Sequence, residues 1–210
     1  VLFGATGFTG KLVAEYLSKS KEAPRWAIAG RNQAKLEALG LDVPILVVDA
    51  LDRAQVDAVV TRTKAVCTTV GPYAKYGSEL VAACAAAGTH YCDLTGEPQW
   101  MRRMIDLHHE RARQTGARIV HTCGFDSIPS DVGTFAAQQA FKAKFGRYAS
   151  KVTALFGEMS GGISGGTIAS AMETARGLHL MNLAHAVYSF GYAGGAILTG
   201  VMRGAGWGPD

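Results

Sequence analysis

A chain of 210 residues with 48% apolar and 18% charged residues can bury a large core, which excludes a disordered polypeptide. Its formal net charge of +4 is small and scattered, which argues against nucleic acid and is compatible with an anionic ligand. The four cysteines, Cys67, Cys84, Cys92 and Cys123, make no C-x-x-C pair, so nothing in their spacing points to a metal, and they read as reduced core thiols of a cytosol-like compartment.

The chain begins at Val1, already inside a predicted strand (Val1–Phe3) and without methionine, so its N-terminus is expected further upstream. Next comes GATGFTG, with glycines at 4, 7 and 10, and then a predicted helix, Thr9–Leu17, whose Leu12, Val13, Tyr16 and Leu17 form one apolar face. A glycine loop between a strand and an amphipathic helix is a variant of the dinucleotide fingerprint. Gly4 would allow the tight turn, Gly7 the approach of backbone to a pyrophosphate, and Gly10 the close packing of helix on sheet. The helix start offers unpaired N–H groups and partial positive charge to phosphate, and Thr6 and Thr9 add hydroxyls.

The second predicted strand, Trp26–Ala29, runs into Gly30-Arg31-Asn32. An acid usually stands there to hold the adenosine ribose 2′-hydroxyl. A carboxylate would repel a 2′-phosphate, whereas the Arg31 guanidinium, with Asn32 beside it, can grip one in a two-pronged hydrogen bond. NADPH is therefore favoured over NADH. A short helix, Gln33–Leu39, closes at Gly40, and the apolar run Ile45–Val48 reads as a strand covered on both faces. Asp49 at its end is placed to meet the adenine amino group.

Asp52 is the expected cap of a helix at Arg53–Thr61. Strand four, Ala65–Val70, leads into Gly71-Pro72-Tyr73, where Gly71 and Pro72 would run beside the nicotinamide ribose. Helix Ser78–Ala87 stops at Gly88, strand Thr89–Asp93 follows, helix Pro98–Thr115 stops at Gly116, and Arg118–His121 is the sixth strand. Strict strand–helix alternation implies an α/β fold, a doubly wound (Rossmann) parallel sheet with its ligand crevice at the carboxyl ends of the strands.

After Cys123 the texture changes. The loop GFDSIPSD leads to a predicted helix, Asp131–Phe145, capped by Ser130 or Asp131. Lys151–Met159 reads as a longer strand, and SGGISGGTIAS opens another helix. These features place a boundary near 124–130, giving an NADP-binding domain at 1–125 and part of a second, α+β domain for substrate or dimerisation at 126–210. The stretch 178–202 carries no Asp, Glu, Lys or Arg. Buried or substrate-lining helices, contact with a lipid surface, and a membrane span all fit its length.

The acid that would accompany hydride transfer is harder to read. Tyr73, Tyr76 and Tyr91 are followed four residues on by Gly77, Leu80 and Thr95, so the Y-x-x-x-K relay is absent. His108-His109-Glu110 falls in an arginine-rich helix and reads as a solvated face. Polar groups at strand ends remain: Tyr73, Lys75 and Tyr76 after strand four, Asp93, Thr95 and Glu97 after strand five, Asp126 and Ser127 after strand six. Of these, Tyr73 and Asp126 are the candidate proton donors.

The ordered run GATGFTG, AGRN, TVGPYAKYG, YCDLTGE, CGFDSIPSD and SGGTIAS, over residues 1–172, resembles the saccharopine dehydrogenase-like oxidoreductases, and within them the mycobacterial trans-acting enoyl reductases. The resemblance implies a nicotinamide-dependent reductase with a Rossmann domain and a second α+β domain. It further implies reduction of a carbon–carbon double bond in a polyketide intermediate of phthiocerol- and phenolphthiocerol-type lipids, supplied by a separate polyketide synthase. Carried over by position, the nucleotide residues are Gly4, Thr6, Gly7, Phe8, Thr9, Gly10 and Arg31. Such proteins run to about twice this length, so the second domain is expected to be incomplete. A saccharopine-like imine reductase needs charged anchors that the second region scarcely offers, and a non-catalytic NADP-binding protein at a lipid surface is the other alternative. Peripheral membrane contact and a homodimer are compatible with the sequence.

Overall fold

A computed structural model describes residues 1–157 and 165–177, and the uncharged stretch 178–202 lies outside them. Parallel strands β1 (Leu2–Phe3), β2 (Ile28–Gly30), β3 (Ile45–Val47), β4 (Ala65–Thr68), β5 (His90–Asp93) and β6 (Ile119–Val120) form one sheet in the order β3-β2-β1-β4-β5-β6. The connecting helices are α1 (Phe8–Lys19), α2 (Gln33–Glu37), α3 (Arg53–Val60), α4 (Tyr73–Tyr76), α5 (Ser78–Ala87) and α6 (Pro98–Thr115), and beyond the sheet lie α7 (Ile128–Phe145) and α8 (Gly165–Gly177). The order reverses between β1 and β4, so the crevice opens there, over the carboxyl ends of the strands.

Strand alternation divides the core. Leu2 joins Ala14, Ile28 and Leu36 in a cluster with α1 and α2, whereas its neighbour Phe3 joins Val60, Val66, Leu80, Tyr91 and Trp100 in a larger one with α3, α5 and α6. Each buried side chain of this size contributes about 1.5–3 kcal/mol of transfer free energy. Asp52 caps α3 as expected, its carboxylate accepting from Gln55 N–H at 3.1 Å. The stops at Gly88 and Gly116 both adopt the left-handed conformation.

Several expectations are corrected. β3 is an edge strand paired only with β2; its Ile45 and Leu46 are half-buried and Val47 is exposed, so it is not fully covered on both faces. Helix α7 starts at Ile128, with Ser127 as its N-cap. Pro129 stands in the first turn, where its missing N–H costs nothing, so Ser130 and Asp131 lie inside the helix and do not cap it. Residues 151–157, expected as a strand, are exposed and carry no regular structure, since no described strand pairs with them. The short helix α4 was absent from the expected elements. Among the described residues no helix is long and apolar enough to cross a membrane.

Candidate functional site

Three of the crevice's features come from the turn after β1. Gly4 has φ 87°, and a Cβ there would lie 2.5 Å from Thr69 Oγ1 and 3.0 Å from Val70 Cγ2, so both conformation and space require glycine. Its carbonyl accepts from Gly7 N–H at 2.9 Å, closing the turn. At Gly10 a Cβ would lie 1.9 Å from that same carbonyl oxygen, which fixes the first turn of α1 directly against the loop. Gly7 is the N-cap of α1, and no side chain caps the helix, so its first-turn N–H groups at Phe8, Thr9 and Gly10 face the crevice as an anion site. Thr6 and Phe8 are exposed beside it, and Thr9 is half-buried.

A second group gathers at the end of β2. Thr6, Gly30, Arg31, Asn32, Lys35 and Leu36 line a polar cleft of about 480 Å³. Asn32 is the N-cap of α2, its Oδ1 accepting from Lys35 N–H at 3.0 Å, which leaves its amide NH₂ for a ligand. Lys35 is the residue that sequence reading missed. Its position, one helical turn past Arg31 and three residues after a capping Asn, is the signal that would have found it. Two cations and a hydroxyl, with no carboxylate lining the cleft, suit a 2′-phosphate and not a bare ribose diol. Asp49 is half-buried at the end of β3 and does not line this cleft. Its Oδ1 accepts from Leu51 N–H at 3.0 Å, so one carboxylate oxygen holds a turn.

The strand-four side is organised by YCDLTGE. Glu97 is buried, and its two oxygens accept the N–H groups of Tyr73 and Ala74, each at 2.8 Å, clamping the start of α4 behind Gly71 and Pro72. Thr95 Oγ1 in turn accepts from Glu97 N–H at 3.2 Å. From the second region, α8 lies against the same loop, for a Cβ on Gly71 would meet Ser170 Oγ at 3.2 Å.

Tyr73 does not suit the proton-donor role expected of it. Its hydroxyl donates to Thr68 O at 3.2 Å and accepts from Leu94 N–H at 3.4 Å, inside the core. Burial, with Asp93 nearby, pushes the phenol well above its usual range, so it holds its proton. Tyr73→Phe is therefore expected to lower stability by about 1 kcal/mol in denaturant melts while leaving NADPH affinity unchanged in calorimetry. Asp126, the other candidate, is exposed in the turn between the edge strand β6 and α7.

The structure pairs two residues that had not been joined. The register Cys92↔Val120 sets Asp93 and His121 side by side at the ends of β5 and β6. His121 Nδ1 lies 2.7 Å from Asp93 Oδ2, with the carboxylate fully buried and the imidazole nearly so. Asp93 Oδ1 also accepts from Thr95 N–H at 3.0 Å and Thr122 N–H at 3.1 Å. The ring of His121 stands edge-on to Trp100 and Tyr91, at 5.2 and 5.9 Å between centroids. A histidine just past one strand and an acid at the matching end of its neighbour were the available signal.

A doubly wound sheet, an uncapped helix behind a glycine turn, and paired cations at the end of β2 together define an NADP-binding domain. Residues 1–120 match the saccharopine dehydrogenase NADP binding domain, and the chain belongs to that family; its cofactor is NADP(H). The chain is 50% identical over 180 residues to a Mycobacterium tuberculosis protein assigned to the trans-acting enoyl reductases, covering 82% of this chain and 43% of that relative. It is 42% identical over 181 residues to the trans-acting enoyl reductase of Mycobacterium leprae, again covering 82% of this chain and 43% of the relative. It thus spans less than half the length of these relatives. Among solved structures, the apo saccharopine dehydrogenase (L-Glu forming) of Saccharomyces cerevisiae shares the fold, with a TM-score of 0.54 at 17% identity, over 68% of this chain and 30% of that one.

Proposed function

We propose that this chain is the cofactor-binding part of an NADPH-dependent enoyl reductase that reduces a carbon–carbon double bond in a long apolar acyl or polyketide thioester delivered by a separate polyketide synthase. The observation that carries the cofactor half is the cleft in which Thr6, Arg31 and Lys35 converge beside the uncapped start of α1. The reaction half is supported by the two mycobacterial relatives, whose names specify a trans-acting enoyl reductase. When bound, NADPH supplies the hydride. The protein's own part is to hold the pyrophosphate on the α1 N–H groups, grip the 2′-phosphate, and hold the Gly71–Pro72 loop through Glu97. Residues from about 126 onward form the substrate region in this reading, and α8 already reaches the strand-four loop through Ser170.

Purified full-length protein mixed with NADPH and a long-chain α,β-unsaturated thioester is expected to consume NADPH and yield the saturated thioester by mass spectrometry. NADPH binding without consumption across a panel of chain lengths overturns the reductase reading and leaves the cofactor site standing.

A further inference from the structure

We infer that His121, held by Asp93, protonates the α-carbon of the unsaturated thioester, an assignment that rests on the reductase reading above. The pair sits at the carboxyl ends of adjacent strands, where a doubly wound sheet presents its reacting groups. Asp93 engages Nδ1, which turns Nε2 away from the buried carboxylate as the nitrogen available to exchange a proton. The carboxylate is fixed by two backbone N–H groups besides, and the imidazole is confined between the Trp100 and Tyr91 rings. Trp100 is itself held by Ser78, its indole N–H donating to Oγ at 3.0 Å. One donor of that set is Thr122, a non-glycine residue at φ 59°, and backbone strain of this kind, of order 1–3 kcal/mol, collects where a site dictates the conformation.

The surroundings of His121 suit an apolar substrate. It lines a cleft of about 310 Å³ whose walls include Val81, Met104, Ile105 and Ile119. The titratable groups lining the same cleft are His108, His109 and Arg113 from α6, while Asp93 and Tyr91 from β5 meet the imidazole from its buried side. Trp100, which stands against the imidazole, also packs on the Tyr73 ring at 5.7 Å between centroids, so His121 is two ring contacts from the start of α4.

The step balances as follows. The β-carbon gains the hydride with its two electrons, the double bond opens, and the electron pair moves to the α-carbon and thioester oxygen as an enolate. The His121 imidazolium then breaks its Nε2–H bond, the proton forms the new C–H bond at the α-carbon, and NADP⁺ and the saturated thioester remain. Solvent returns the proton to the neutral imidazole.

Three measurements on the full-length protein test the assignment. Nitrogen NMR of the cofactor-free protein is expected to show Nδ1 of His121 protonated and hydrogen-bonded, with the signal shifted in Asp93→Asn. In deuterium oxide the wild type is expected to place one deuteron on a single face of the α-carbon, whereas His121→Gln loses about 100-fold in kcat and gives both epimers, with NADPH affinity retained. The single-face deuteration by the wild type is a result available even should His121→Gln fail to fold. Retained kcat and stereospecificity in His121→Gln, or deuteration of both faces by the wild type, overturns the role of His121 alone. A wild type inert towards every thioester overturns the reductase reading itself.

Discussion

Gly10→Ala is expected to abolish measurable NADPH binding and to lower stability by about 3 kcal/mol. Helix propensity pulls the other way, since alanine is favoured over glycine in a helix interior by about 1 kcal/mol. Sterics decide the outcome. The new methyl would lie 1.9 Å from Gly4 O, 2.6 Å from Gly4 C and 2.9 Å from Ala5 Cα, all of them backbone atoms that no rotamer change can move. Either the turn after β1 opens or α1 lifts away, and each displaces the N–H groups proposed to hold the pyrophosphate. Gly133→Ala, inside α7 with nothing near its Cβ, is the control and is expected to be neutral or slightly stabilising. Thermal melts and calorimetry with NADPH report both effects, and a Gly10→Ala protein that melts and binds like the wild type refutes the close approach.

The features read correctly from sequence are those enforced locally. In GATGFTG the positive φ of Gly4 and the contact of Gly10 with the Gly4 carbonyl both arise within the loop itself. Asp52, Gly88 and Gly116 punctuate helices through bonds or conformations inside a single turn. Lys35 apart, what went unread depends on neighbours distant in the chain. The edge position of β3 follows from sheet order, which the run Ile45–Val48 does not encode. Tyr73 looked available because it follows a strand end, and only the folded chain turns its hydroxyl to Thr68 and Leu94. Asp93 and His121 are 28 residues apart, and their hydrogen bond exists because β5 and β6 pair in one register. The strand expected from Lys151 is not formed over residues 151–157 for the converse reason: a strand-like run makes a strand only when another strand supplies its hydrogen bonds.

Arg31→Asp is expected to weaken NADPH by about 100-fold or more while leaving NADH nearly unchanged. The charge-assisted bonds lost are worth about 1.5–3 kcal/mol, and the new carboxylate adds repulsion against a dianionic 2′-phosphate. Lys35 sets the limit of the effect. It lines the same cleft and leaves one cation in place, so Arg31→Asp combined with Lys35→Ala is expected to remove the preference for NADPH altogether. Both side chains reach into solvent, which makes the attraction sensitive to salt: the wild-type advantage for NADPH should shrink as ionic strength rises, and the double variant should show no such slope. Because NADH carries the same pyrophosphate and lacks only the 2′-phosphate, its affinity reports on the α1 start separately from the β2 end. Parallel losses for the two cofactors would mean that Arg31 shapes the loop and does not read the phosphate, and calorimetry with each cofactor at two salt concentrations decides between these outcomes.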